Sequence, residues 1–360
     1  MREKKIQFHN LLNVLVLLFL HIPGSGLFST SRHGLMFGYD DNILYDYTRQ
    51  PDYILQAYSG GEKNISAGPG MRNVFLYQFL LNKYIIHGEE DTADLYLEYE
   101  RRKILEFGTA KAGFGGGHLH YFKQSELTAP RLYVPLELRI DRSESSIYFP
   151  LRFQYLIYPS SDSDCLDISF RPKISMDPVN VCTIDVGSGF RYNLRTTASR
   201  IAADGTDSGE NISSFLLNPA IRGECRISPH ISLSGLYEYN RYISTYAVIE
   251  YGKYYPNYDN YRQHSGSFNF NAMLTKSIYL SINGVIEKKI FDKRPAYLMP
   301  AVQNGGTITD TQYQAGGVIR ILITKNVYAS LYYQRRKTDS NDFYRAAINN
   351  KFGAKFELVF

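Results

Sequence analysis

The chain has 360 residues, 44% of them hydrophobic, with 31 Tyr and 21 Phe but no Trp. A mean hydropathy of −0.29 excludes a polytopic helical membrane protein, which needs several unbroken apolar runs of about 20 residues. The formal charge of +5 is interspersed along the chain, so neither a basic tail nor a nucleic-acid surface is expected.

The one long apolar run comes first. Arg2, Lys4 and Lys5 precede an apolar stretch from Leu11 to Ile22, and Gly24, Ser25 and Gly26 follow. That order of charged, apolar and small segments predicts a cleaved secretory signal peptide over residues 1–26, too short for a comfortable membrane span. Residues 27–360 are then one exported domain.

From there on, apolar and polar residues alternate with period two, the pattern of strands with one apolar face. The alternation predicts about 16 strands, over 34–41, 52–60, 71–85, 92–103, 106–122, 130–141, 146–158, 165–176, 180–196, 212–226, 228–241, 261–275, 277–290, 311–323, 326–338 and 344–360. The Gly-rich stretch 104–117 alternates poorly. Short turns alternate with longer polar connections such as 197–211 and 292–310. A weak repeat marks the short turns. Ile227–Leu233, Leu274–Leu280 and Ile323–Ala329 share one pattern, read as a three-residue turn between two strands.

Many runs reach ten residues or more, matching the 9–11 tilted residues that cross a bilayer rather than the five or six of a soluble sandwich. In hydrocarbon every backbone group must be paired, so a spanning sheet has to close on itself. The expected fold is all-β: a closed antiparallel transmembrane β-barrel. First and last strands must start and finish on the same side, so the count is even, with 14 and 18 the neighbouring solutions. In the last strand Tyr344, Ala346, Ile348, Asn350, Phe352, Ala354, Phe356, Leu358 and Phe360 share one face, opposite Arg345, Asn349, Lys351, Lys355 and Glu357. A slip of one residue would carry Lys and Glu into the apolar layer, so register is strongly specified.

The inward face carries the candidate chemistry. Over residues 130–226 it presents Arg139, Arg152, Arg171, Lys173, Arg191, Arg195, Arg222 and Arg226 against Glu137, Asp141, Asp167, Asp185 and Glu224. Charge lining a pore sets its selectivity, so a water-filled lumen with mild anion preference is expected; a plugged interior whose charges pair is the competing reading. Tyr246, Tyr251, Tyr254, Tyr255 and Tyr258 fall in a Tyr-rich outer hairpin, which would serve either packing or ligand binding through flat apolar faces with hydroxyls. Cys182 and Cys225 fall near the periplasmic rim of adjacent strands on the lipid-facing parity. They are read either as a disulfide or as two free thiols, with Cys165 unpaired near the outer rim.

His264-Ser265 and His118-x-His120 invite an enzymatic reading. Adjacent strand residues point to opposite faces, so His264 cannot activate Ser265; two His do not complete a zinc site. Lumen-facing polar positions are the simpler reading of all three. No catalytic residue, metal or cofactor is expected. Passive passage of small hydrophilic solutes is the functional expectation, with a saccharide-export barrel, a surface adhesin or structural barrel, and a lipid-modifying barrel enzyme as alternatives. Outer-membrane lipid and lipopolysaccharide are the expected surroundings.

Two segments resemble known families. Lys351-Phe352-Gly353-Ala354-Lys355-Phe356-Glu357-Leu358, ending at Phe360, resembles the C-terminal signal read by the outer-membrane barrel-assembly machinery. The resemblance gives Lys351, Gly353, Phe356, Leu358 and Phe360 that role, and it implies that machinery and periplasmic chaperones as partners in biogenesis. Gly38-Tyr39-Asp40-Asp41-Asn42-Ile43 resembles the opening segment of the beta-barrel porin type 2 proteins. A related segment opens the barrels of surface lipoprotein assembly modifiers, whose helical-repeat domain has no counterpart in these residues. Asp40, Asp41 and Asn42 are read as an Asx turn in preference to a calcium site, which needs six or more oxygen ligands.

Overall fold

The structure, a computed structural model, describes residues 30–43, 50–124, 127–158, 164–179, 181–299 and 302–360. The expected signal peptide, 1–26, lies outside them. Nineteen strands follow in order: β1 (Thr30–Asp40), β2 (Asp52–Ser66), β3 (Met71–Tyr84), β4 (Thr92–Leu105), β5 (Gly108–Tyr121), β6 (Ala129–Asp141), β7 (Ser145–Leu156), β8 (Cys165–Phe170), β9 (Lys173–Val179) and β10 (Cys182–Ile201). They continue as β11 (Asp207–Ser228), β12 (Ile231–Ser244), β13 (Val248–Glu250), β14 (Lys253–Tyr255), β15 (Tyr261–Thr275), β16 (Ile278–Met299), β17 (Val302–Thr324), β18 (Val327–Ser340) and β19 (Ala347–Val359).

Each barrel strand pairs with its sequence neighbours, and β1 closes on β19 from Arg32↔Val359 to Asp40↔Lys351. β8 and β9 share the place between β7 and β10, pairing with both. Pro172 has no N–H to offer there, yet its carbonyl accepts from the Ser188 N–H at 3.1 Å. β13 and β14 pair only with each other. The cylinder therefore has 16 staves, and closure leaves no free sheet edge.

The chain is apolar outside and polar inside. Phe37, Leu97, Phe114, Leu132, Leu331 and Phe356 stand 51–65% exposed on the outer face, whereas Glu100 and Asp167 are buried. A folded chain in water would invert that order; a barrel in hydrocarbon requires it. The Gly-rich stretch carries the end of β4, a turn at 106–107 and most of β5, so a strand stands there as expected. Gly113, Gly115 and Gly117 take inward positions on β5, and a Cβ at Gly115 would overlap the Tyr133 ring. The glycines weaken the period-two signal because they make room for a neighbour's side chain.

Two expectations about connections are corrected. Residues 197–211 and 292–310 are mostly strand: β10–β11 and β16–β17 run on past their neighbours as two-stranded arms, with register shifts at Leu194/Ser199 and Ile290/Pro295. The repeated short turns hold two residues, not three. Ser228↔Ile231, Thr275↔Ile278 and Thr324↔Val327 flank them, each with a register shift just before. The shift leaves Ile227, Leu274 and Ile323 as bulged residues, strongly exposed at the same rim.

At the seam the opening segment meets the closing strand. The Asn42 N–H donates to Asp40 Oδ1 at 3.0 Å, as in the expected Asx turn. Asn349 Nδ2 donates to the Asn42 carbonyl at 2.9 Å and also to Asp40. Asp41 accepts from the Asn350 N–H at 2.5 Å and from Asn350 Nδ2 at 2.7 Å. Three consecutive polar residues thus fasten the first strand to the last.

Candidate functional site

A barrel of 16 staves is wide enough to enclose space between inward side chains. The inward parity holds Glu137, Arg139 and Asp141 on β6, Arg152 on β7, Asp167 on β8, and Lys173 on β9. It continues with Asp185, Arg191 and Arg195 on β10 and Arg222, Glu224 and Arg226 on β11. Arg171, between β8 and β9, keeps the same parity.

Four of the eight cations meet a carboxylate. Arg139 pairs with Asp141 at 2.6 Å, Lys173 with Asp185 at 3.2 Å, Arg222 with Glu224 at 2.9 Å, and Arg191 with Asp167. Arg152 lies over the Tyr133 ring, its guanidinium carbon 4.4 Å from the centroid. Arg171, Arg195 and Arg226 are solvent-exposed and meet no carboxylate among the described residues. Half of the cations on this arc are thus paired with carboxylates, and three guanidiniums are exposed without one among the described residues.

The sequence reading missed the charges on the remaining staves. Glu100, fully buried, receives Arg102 at 2.7 Å and Lys111 at 2.5 Å, and Arg131 pairs with Asp94. Across the barrel Arg320 and Lys355 share Glu357, at 3.0 and 3.7 Å. The alternation of Glu98, Glu100 and Arg102 along β4 was the signal for the first group; the glycines of β5 hid it. A hollow of ≈ 710 Å³ with mixed lining opens at the short-turn end, bordered by Arg226, Asn271 and Arg320 as well as Ile231, Leu280 and Val318. Arg226, at the end of the unpaired series, faces into it.

The Tyr-rich segment folds as the small β13–β14 hairpin. Tyr255 and Tyr258 are buried: Tyr255 accepts from Gln303 Nε2 at 2.6 Å, and Tyr258 donates to Glu250 at 3.0 Å beneath the Arg294 guanidinium. Burial, foremost, holds the Tyr258 hydroxyl above the ordinary tyrosine range. Tyr251 turns outward at positive φ, 65% exposed, and Tyr246 and Tyr254 are half-buried. Two of the five are thus committed to packing the hairpin against the β16–β17 arm.

The three histidines are not lumenal, which corrects the expectation for them. His118 and His120 share the outward parity of Phe114, and His264 shares that of Phe268. His264 Nδ1 lies 2.7 Å from the Tyr237 hydroxyl, a pairing typical of an aromatic rim. Ser265 points the other way, its Oγ 3.5 Å from Glu287. Cys182 stands directly opposite Cys225, Cα atoms 4.1 Å apart, with the sulfurs bonded. Cys165 is free and buried, its Sγ 2.7 Å from Asn193 Nδ2. At the C-terminus Lys351 and Gly353 point inward and Phe356 and Leu358 outward, while the Phe360 backbone pairs with Ser31.

No protein-family model matches the sequence, and no curated protein matches it. Among solved structures the chain is similar to the outer membrane protein OpdK of Pseudomonas aeruginosa, at TM-score 0.51 and 8% identity, covering 92% of this chain and 99% of that one. It is likewise similar to the outer membrane protein OprD of the same organism, at TM-score 0.50 and 8% identity, covering 92% and 93%. A third is a loop-deletion mutant of OmpT, an outer membrane protein of Vibrio cholerae, at TM-score 0.50 and 11% identity, covering 93% and 100%. At these identities the likeness is one of fold.

Proposed function

We propose that the chain is an outer-membrane channel through which small hydrophilic solutes diffuse, with a mild preference for anions. One observation carries the reading: Arg171, Arg195 and Arg226 are exposed to solvent within the cylinder and meet no carboxylate among the described residues. Fixed positive charge along a wet path lowers the energy of a passing anion and raises that of a cation. The solved barrels OprD and OpdK, similar in fold, are outer membrane proteins, which supports the location. The channel reading is non-catalytic, since His264 and Ser265 project from opposite faces of β15. The C-terminal assembly signal and the affinity to type 2 porins belong to the same proposal.

Conductance in a planar bilayer under a potassium chloride gradient tests it. The wild type should give discrete openings and an anion-selective reversal potential. Arg171→Glu, Arg195→Glu and Arg226→Glu together should swing that potential toward cation selectivity. A silent bilayer, or a potential that ignores the triple variant, ends the reading.

A further inference from the structure

A hollow on the outer face lies across β11, β12, β15, β16 and β17 and reaches β18. Its floor is largely glycine: Gly223 pairs with Gly235 and Gly266 follows on the next strand at an outward position, while Gly284 beyond lies under the Phe268 ring. A Cβ at Gly223 would meet nothing within 4 Å, and one at Gly235 would meet only a backbone oxygen at 3.7 Å. Ile221, Tyr237, Phe268, Ile286 and Tyr313 wall the hollow, which measures ≈ 930 Å³. That volume lies within the usual range of small-molecule sites, although the hollow is open rather than enclosed.

The far end is basic. Arg335 and Lys337 border the hollow at outward positions on β18, past Leu331 and Tyr333 on the way to the long-loop rim. Lys337 pairs only with the exposed Asp339, at 2.8 Å, and Arg335 meets no carboxylate among the described residues. Lys288 stands nearby at the next outward position beyond Ile286.

We propose that this hollow holds an acyl chain of the outer-leaflet glycolipid, with a lipid A phosphate resting on Arg335 and Lys337. A groove with apolar walls, sunk into the hydrocarbon belt, fills with hydrocarbon. Cations at its outer end select a lipid whose phosphate sits at that depth, and an Arg fork offers two parallel donors to phosphate. A second copy of the chain fits less well, because the same face would bring a second set of Arg335 and Lys337 to the patch with no surplus carboxylate, Asp339 being already paired with Lys337. The inference rests on the outer-membrane location proposed above, not on conduction.

Delipidated, refolded protein in neutral detergent, titrated with lipid A and with dephosphorylated lipid A under native mass spectrometry, tests the site. Wild type should retain lipid A and bind the dephosphorylated form more weakly. Arg335→Gln with Lys337→Gln should weaken lipid A binding about tenfold, as loss of charge-assisted bonds does, and remove the difference between the two lipids. Gly235→Leu should weaken both lipids by filling the floor. Each variant should conduct like wild type in the bilayer, so a failed channel and a failed lipid site read out separately. Equal binding of lipid A by wild type and the charge variant overturns the proposal, as does loss of a dimer rather than of lipid in Gly235→Leu.

Discussion

Tyr332 lies across two glycines from neighbouring strands, Gly38 and Gly353, which face each other at the seam. A Cβ on either would overlap the Tyr332 hydroxyl, and one on Gly353 would also overlap the Phe37 carbonyl. Gly353→Ala should therefore cost about 1–3 kcal/mol, the usual price of overpacking. Gly223→Ala, whose Cβ meets nothing within 4 Å, should be close to neutral. The mobility shift of the folded band on heating, followed for both variants, checks the contrast. Asp41→Ala leaves two Asn350 donors without their acceptor and should destabilise by about 1–3 kcal/mol, read from urea unfolding in lipid vesicles. The glycine at 353 was visible in the sequence as part of a terminal motif. Its steric reason was not, because the ring that demands it comes from β18 and only register brings it there.

Strands were legible wherever one face meets lipid and the other meets water, since that contrast writes period two into the chain. Above the belt both faces meet water and the contrast disappears. This is why Asp207, Ser208 and Gly209, all exposed, read as loop although they begin β11. The same loss of contrast misplaced the histidines, which sit on outward parity but outside the purely apolar run. For β10 and β11 the register puts Cys182 opposite Cys225. The bridged peptide should survive digestion under non-reducing conditions, and mass spectrometry would find it. Replacing both by Ser should lower stability by about 2–4 kcal/mol; recovery of two free thiols from the untreated protein would contradict the pairing.

For the molecule as a whole, lumen-facing charges could be read from parity alone, but their neutralisation could not. Asp167 cancels Arg191 from the next stave, and Glu357 cancels Arg320 from two staves away. If the proposed channel conducts, its net selectivity should therefore be smaller than the sequence tally of cations suggests. It should also fade with ionic strength: the Debye length shrinks from about 10 Å at 0.1 M to about 3 Å at 1 M, so the reversal potential per decade of gradient should fall as both baths are made more concentrated. A selectivity indifferent to salt would point to size exclusion instead.

The fastening between Asp40–Asn42 and Asn349–Asn350 spans some 309 positions of chain. The cylinder cannot be sealed until Asn349 and Asn350 meet Asp40 to Asn42, and loop closure over such a distance is slow. Until then both margins of the curved sheet stay unpaired. Maturation is thus a single latching event at the end, and removing the final dozen or so residues should leave an open trough rather than a slightly smaller tube.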